Sequence, residues 1–445
     1  MKTTIQKNLL RINRSLSYAL VAILFLATLT NCSKDDAPAP TPEAAIISSI
    51  SPQSGPKATL VTINGSHFGD NIDQVSVYFN QVEALVQSVT DTKITATMPA
   101  RAYTGLVKVR INGTELIGPE FEYLISEFQV STLAGSTAGD TNGTGEAAQF
   151  NRPRGVSTDS QGNIYVADSD NHKIKKITPN GVVTTFAGST QGDADGTGTD
   201  AQFNIPRGLA MDNQDNLYIA DSNNHKIRKI TPNGVVTTLA GSVSGFEDET
   251  GENAKFNLPY ALVIDGQNNL YIADHFNHKI RKITPNGVVT TLAGSAQGDS
   301  DGMGANAQFW GPSGIELDSQ NNLYVADHFN HKIRKITPSG VVTTFAGSTT
   351  GFEDELGENA KFKTPFGIAI DPQNNLYVSD YGNNKIRKIT PNSMVITVAG
   401  STSGFANGSG TDAQFNGPTG ITLDNQGNIY IAGFSSHKIR KITLD

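Results

Sequence analysis

The sequence predicts an all-β protein: a small β-sandwich followed by a six-bladed β-propeller with four strands in each blade. Three observations carry the prediction. The tripeptide Ala-Gly-Ser begins at Ala134, Ala187, Ala240, Ala293, Ala346 and Ala399, always 53 residues apart, so Phe128 to Asp445 forms six equal units. Each unit divides into four short apolar runs separated by turn residues, which is the content of one radial blade. Ahead of the repeats, residues 45–125 show short alternating strands of a different spacing, in a chain with 44 glycines and 19 prolines.

In the second unit the strands are expected at Gly208–Met211, Asn216–Ala220, His225–Ile230 and Gly234–Leu239. Asp212 to Asp215, Asp221 to Asn224 and Thr231-Pro232-Asn233 supply the turns between them. Several strands carry apolar residues on both faces, as expected of a sheet packed between two neighbours. The sixth unit reaches only its third strand, and the missing piece stands at the front as residues 130–136. This segment is therefore expected to complete the last blade and close the ring.

In the small domain Leu60–Ile63, Val75–Phe79 and Leu106–Ile111 read as half-buried strands of a sandwich. Its residues resemble the IPT/TIG family of immunoglobulin-like domains. The matching runs are Ile50-Ser51-Pro52 with Gly55-Pro56, Val61 to Gly65 with Phe68-Gly69, Met98-Pro99, Val107-Lys108-Val109 and Phe121-Glu122-Tyr123. The resemblance implies a spacer or contact module.

The propeller units resemble the NHL repeat. Asn-His occurs at Asn171-His172, Asn224-His225, Asn277-His278 and Asn330-His331, each with Ala-Asp three residues earlier. The fifth unit has Asn384 for the histidine; the sixth has Gly433 for the aspartate and Ser436 for the asparagine. The recurring Asp168, Asp221, Asp274, Asp327 and Asp380 are expected to accept backbone hydrogen bonds in the turn after the second strand.

The N-terminal residues read as an export signal. Lys2, Lys7, Arg11 and Arg14 precede an apolar stretch from Tyr18 to Leu29, and Leu29-Thr30-Asn31-Cys32 resembles a lipobox. The resemblance implies acylation of Cys32 and a lipid anchor, with residues 33–44 as a Pro-rich tether. The acidic run after Cys32 points to the outer membrane and to surface exposure. Cys32 is the sole cysteine, which excludes an intramolecular disulfide and a thiolate metal cluster. A formal charge of −8 argues against nucleic acid, and a monomer is expected.

A residue that every blade repeats serves the blade, whereas a residue that breaks the pattern is a candidate for function. The residue after Pro at the start of each blade, followed by Gly in all but the third, runs Arg154, Arg207, Tyr260, Ser313, Phe366 and Thr419. The pair after the second strand runs Ser169-Asp170, Ser222-Asn223, His275-Phe276, His328-Phe329, Tyr381-Gly382 and Phe434-Ser435. Both sets are expected on one face, basic and polar on one side and aromatic on the other, with Trp310 nearby. Trp310 is either exposed there or buried between blades. Exposed aromatics suit sugar rings or apolar side chains of a partner. The leading expectation is thus a non-catalytic surface binder of an extracellular glycan or protein.

Two alternatives are chemical and a third is structural. NHL propellers include metal-dependent amidating lyases, and His275 with His328 and Tyr381 resembles part of a zinc site without a third histidine. Asp193-x-Asp195-Gly and Asp299-x-Asp301-Gly resemble the opening of a calcium loop, but lack its bidentate Glu. A solvated turn is expected there, and no cofactor. The third alternative is a structural or adhesive envelope protein.

Overall fold

The computed structural model describes residues 43–99, 102–124 and 128–444; Cys32 and most of the tether lie outside them. It has the all-β class the sequence predicts, an immunoglobulin-like domain followed by a six-bladed propeller.

The small domain is one continuous hydrogen-bonded order of eight strands. Val82–Thr90 pairs with both Val75–Phe79 and Lys93–Thr97 and so joins its two halves. Alternation puts Val61, Ile63, Val77, Phe79, Ile94, Val107, Val109 and Phe121 inside, all essentially solvent-free. Phe79 and Phe121 meet edge to face at 5.4 Å. Tyr103 of this domain lines a cleft with Ser319, Asp371, Asn374 and Asp424, which belong to turns between first and second blade strands.

Each blade is a four-stranded antiparallel meander, and in four blades a two-residue strand adds a fifth, outermost member. In the second blade these strands are Pro206–Met211, Leu217–Asp221, Lys226–Ile230 and Val235–Ala240. The sixth blade takes its outer strand from Phe128–Ala134, which pairs antiparallel with Lys438–Leu444.

Core residues lie between blades. Tyr165, Ala167 and Ile174 of the first blade pack with Phe203, Leu209, Leu217 and Ile219 of the second, and equivalent clusters fill every other gap, including that between the sixth and the first. Phe203 follows Ala201 in the long loop and is the plug of that gap, fully buried. Its removal is a cavity of the kind that costs about 3–5 kcal/mol.

Hydrogen bonds tie the blades as well. The histidine after each Asn sits in the left-handed region, at φ 55° in His172, and its Nδ1 accepts the Ile205 N–H of the next blade. His225, His278 and His331 repeat the bond, and His437 takes the Arg152 N–H. Asn384 does the same through its Oδ1, and asparagine tolerates that backbone conformation well.

Candidate functional site

The six inner strands start at Pro153, Pro206, Pro259, Pro312, Pro365 and Pro418 and surround an axial cavity of about 270 Å³. The residue after each proline therefore lies within a strand, at the mouth of this cavity. The next residue is glycine in five blades because neighbouring strands nearly touch there. A Cβ on Gly155 would stand 1.9 Å from the Arg207 carbonyl, and one on Gly420 2.2 Å from that of Arg154.

The turn after each second strand reaches over the same mouth. Ser169 and Ser222 donate their hydroxyls to the carbonyls of Pro206 and Pro259, at 2.6 and 2.5 Å. His275 and His328 occupy the same place and meet Pro312 and Pro365 carbonyls through Nδ1, each at 3.0 Å. A carbonyl accepts only, so Nδ1 carries the proton in both rings. Burial pulls His275 down to about 3 and His328 to about 4, which keeps both neutral.

The expected aromatic side exists, but it has two parts. Tyr260 stacks on His275 with ring centres 3.6 Å apart and planes within 4°, while the Arg207 guanidinium covers its other face at 3.8 Å. Both faces of Tyr260 are thus occupied, and it offers no platform to a ligand, contrary to the expectation for an exposed mouth aromatic. Phe366 lies between Tyr260, His328 and Tyr381 at 5.8 to 6.2 Å. Farther out, Phe276, Trp310 and Phe329 are 48, 40 and 37% exposed and form a strip through His275, whose ring meets Phe276 at 5.0 Å and Phe329 at 5.8 Å. Trp310 and Phe329 lie 5.6 Å apart, and the exposure of Trp310 settles its alternative in favour of solvent.

On the opposite side Arg154 packs over Phe434 at 4.4 Å. Arg154 Nε and Arg207 Nε and Nη1 are buried without a hydrogen-bond partner among the described residues. Burial first, and then the Arg207 charge, pulls Arg154 down to about 10. Asp170, whose charge also reaches Arg154, is bonded to Arg152 at 3.2 Å. Two arginines therefore share one mouth, each over an aromatic ring and each with buried guanidinium nitrogen left unpaired.

Glu316 was not among the sequence candidates. It lines the cavity four residues after Pro312, where the other blades carry Ser157, Ala210, Val263, Ala369 and Thr422. Its carboxylate accepts the Leu317 N–H at 3.0 Å, and burial pushes it up to about 7. It breaks the repeat as sharply as the mouth residues do, and comparison of that column across the six units is the signal that finds it.

The carboxylates of the calcium alternative are engaged within the blade. Asp195 binds the buried Arg228 at 2.6 Å and also accepts from Thr238, while Asp193 pairs with Lys226. Asp301 and Asp299 repeat this with Arg334 and Lys332. These carboxylates clip the long loop to its blade, and in the third blade Asp248 does so through Arg281. The zinc expectation lacks a donor set, since no three His, Cys, Asp or Glu side chains among the described residues come together to hold a metal. The aspartates that end the second strands accept a backbone N–H from the loop ahead of the first strand, Asp221 from Asn204 at 2.8 Å, and not within the following turn as expected. Asp221, Asp274, Asp327 and Asp380 also take the buried arginine of the third strand.

Comparison with known proteins agrees with this architecture. Residues 45–123 match the IPT/TIG domain, and residues 150–177, 203–230 and 362–389 match the NHL repeat. NHL repeat-containing protein 2 of Gallus gallus is 30% identical over 338 residues, covering 66% of this chain and 46% of that protein. The chloroplastic protein SUPPRESSOR OF QUENCHING 1 of Arabidopsis thaliana is 31% identical over 279 residues, covering 57% and 26%. The chain spans less than half the length of these relatives.

Among solved structures, a Bacteroides thetaiotaomicron protein of unknown function superposes with a TM-score of 0.68 at 23% identity, covering 91% of this chain and 99% of that one. An auxiliary nutrient binding protein of the same organism gives 0.57 at 19%, covering 90% and 98%. At these identities the likeness is one of fold. The chain carries an IPT/TIG domain ahead of a six-bladed β-propeller of NHL repeats.

Proposed function

We propose that this chain is a non-catalytic, lipid-anchored surface protein whose propeller mouth captures an extracellular glycan. The strip of Phe276, Trp310 and Phe329 carries the reading, because Trp310 and Phe329, 5.6 Å apart, and Phe276, joined to them through the His275 ring, leave large aromatic surface in solvent that suits a partner with flat apolar faces. Sugar rings have such faces. The solved protein of similar fold that is described as nutrient-binding supports a capture role, and the lipobox-like run at Cys32 supports an anchor.

The test is a glycan array probed with the purified protein, with and without chelator, beside a Phe276→Ala/Phe329→Ala variant. Chelator-independent binding that the variant loses is the expected result. Absence of binding to any glycan overturns glycan capture. Incorporation of a fatty-acid analogue, abolished by Cys32→Ala, checks the anchor.

A further inference from the structure

The arginine pair and the axial cavity define a second binding element beside the aromatic strip. Buried guanidinium donors without partners are costly, since a desolvated donor forfeits its bonds to water. Arg154 and Arg207 leave three such nitrogens at one mouth. Both arginines line the axial cavity, Arg154 with its guanidinium 4.4 Å from the Phe434 ring centre and Arg207 3.8 Å from that of Tyr260. A guanidinium carries planar paired donors that suit the bidentate geometry of an oxyanion.

Below the mouth the cavity is mixed in character. Ser157, Thr158, Glu316 and Thr422 stand among Leu209, Val263 and Ile315. Glu316 lies three residues beyond the mouth position, roughly 10 Å along the strand. A volume of about 270 Å³ falls just under that of drug-sized sites, and suits a ligand of one or two sugar units.

We infer that the axial cavity binds a small hydroxylated acid, its oxyanion on Arg154 and Arg207 and its hydroxyls toward Ser157, Thr422 and Glu316. The inference rests on the capture reading and adds the class of ligand: a sugar acid or a sugar phosphate, which share this chemistry.

Isothermal titration of the purified protein with D-glucuronate, glucose 6-phosphate, glucose and inorganic phosphate tests it. At least one of the two sugar oxyanions is expected to bind at least tenfold tighter than glucose and tighter than phosphate, and to weaken as salt rises. Which of them leads distinguishes carboxylate from phosphate. Arg154→Gln/Arg207→Gln is expected to lower that affinity at least tenfold, with Arg110→Gln in the small domain as the exposed control.

The wild-type comparison stands without any variant. Equal binding of glucose and both oxyanions, or binding of none, overturns the inference. Capture of neutral glycans alone, lost in Phe276→Ala/Phe329→Ala, also overturns it and leaves the capture reading in place.

Discussion

Arg281 donates from Nη1 to Asp274 Oδ2 at 2.8 Å with both side chains fully withdrawn from solvent. The same guanidinium bonds the Lys255 and Glu247 carbonyls and Asp248 of the long loop. One cation therefore joins a strand, a turn and a loop.

Asp274→Ala is expected to destabilise the protein by about 3 kcal/mol in denaturant unfolding, the low end for breaking a buried pair. The sixth blade is the reason for the low end. Gly433 replaces the aspartate there, and Arg440 is still held by the Gln414 and Ala406 carbonyls at 2.7 and 3.0 Å. A loss under 1 kcal/mol would show that these carbonyls alone suffice in the third blade.

His275 and His328 make stability depend on pH in a defined direction. Their folded values, about 3 and about 4, lie below the ordinary 6.5. The unfolded chain takes up protons that the folded chain refuses, so stability is whole above pH 6.5 and declines below it. By pH 5 the decline is about 2 kcal/mol for each ring. His275→Ser/His328→Ser supplies the hydroxyls that Ser169 and Ser222 already use. Its stability is expected to change distinctly less between pH 7 and pH 5 than that of the wild type, by denaturant titration at each pH.

Glu316 works in the opposite sense. Its folded value of about 7 lies above the ordinary 4.3, so the folded chain holds the extra proton between those limits. Stability is whole below pH 4.3 and falls as pH rises toward 7. Glu316→Gln is expected to melt above the wild type at pH 8 and together with it at pH 4. An identical difference at both pH values would show that its carboxyl stays hydrated.

The fold was legible because the repeat is written at constant spacing: Ala-Gly-Ser, the prolines and the Asn-His pairs recur without insertion. The mouth was legible for the same reason, since Arg154, Arg207, Tyr260 and Phe366 interrupt a regular column. What each aromatic does there was not. Tyr260 and Phe276 look alike in sequence, yet Tyr260 is closed between His275 and Arg207 of the preceding blade, while Phe276 faces solvent. The partners of the long-loop acids were hidden for a related reason. Asp195 and Asp301 look like calcium ligands until Arg228 and Arg334, 33 residues later, are seen to reach them. Glu316 sat in a strand column read only for its hydrophobic pattern.

Pairing of Phe128–Ala134 with Lys438–Leu444 also has a meaning in time. During synthesis the early strand exists long before its partner, and until then both margins of the incomplete ring expose unpaired backbone. Closure over so long a loop is slow compared with forming any single meander. The nascent chain thus has a window in which a neighbouring copy offers the same edge, and a chaperone would matter most in that interval.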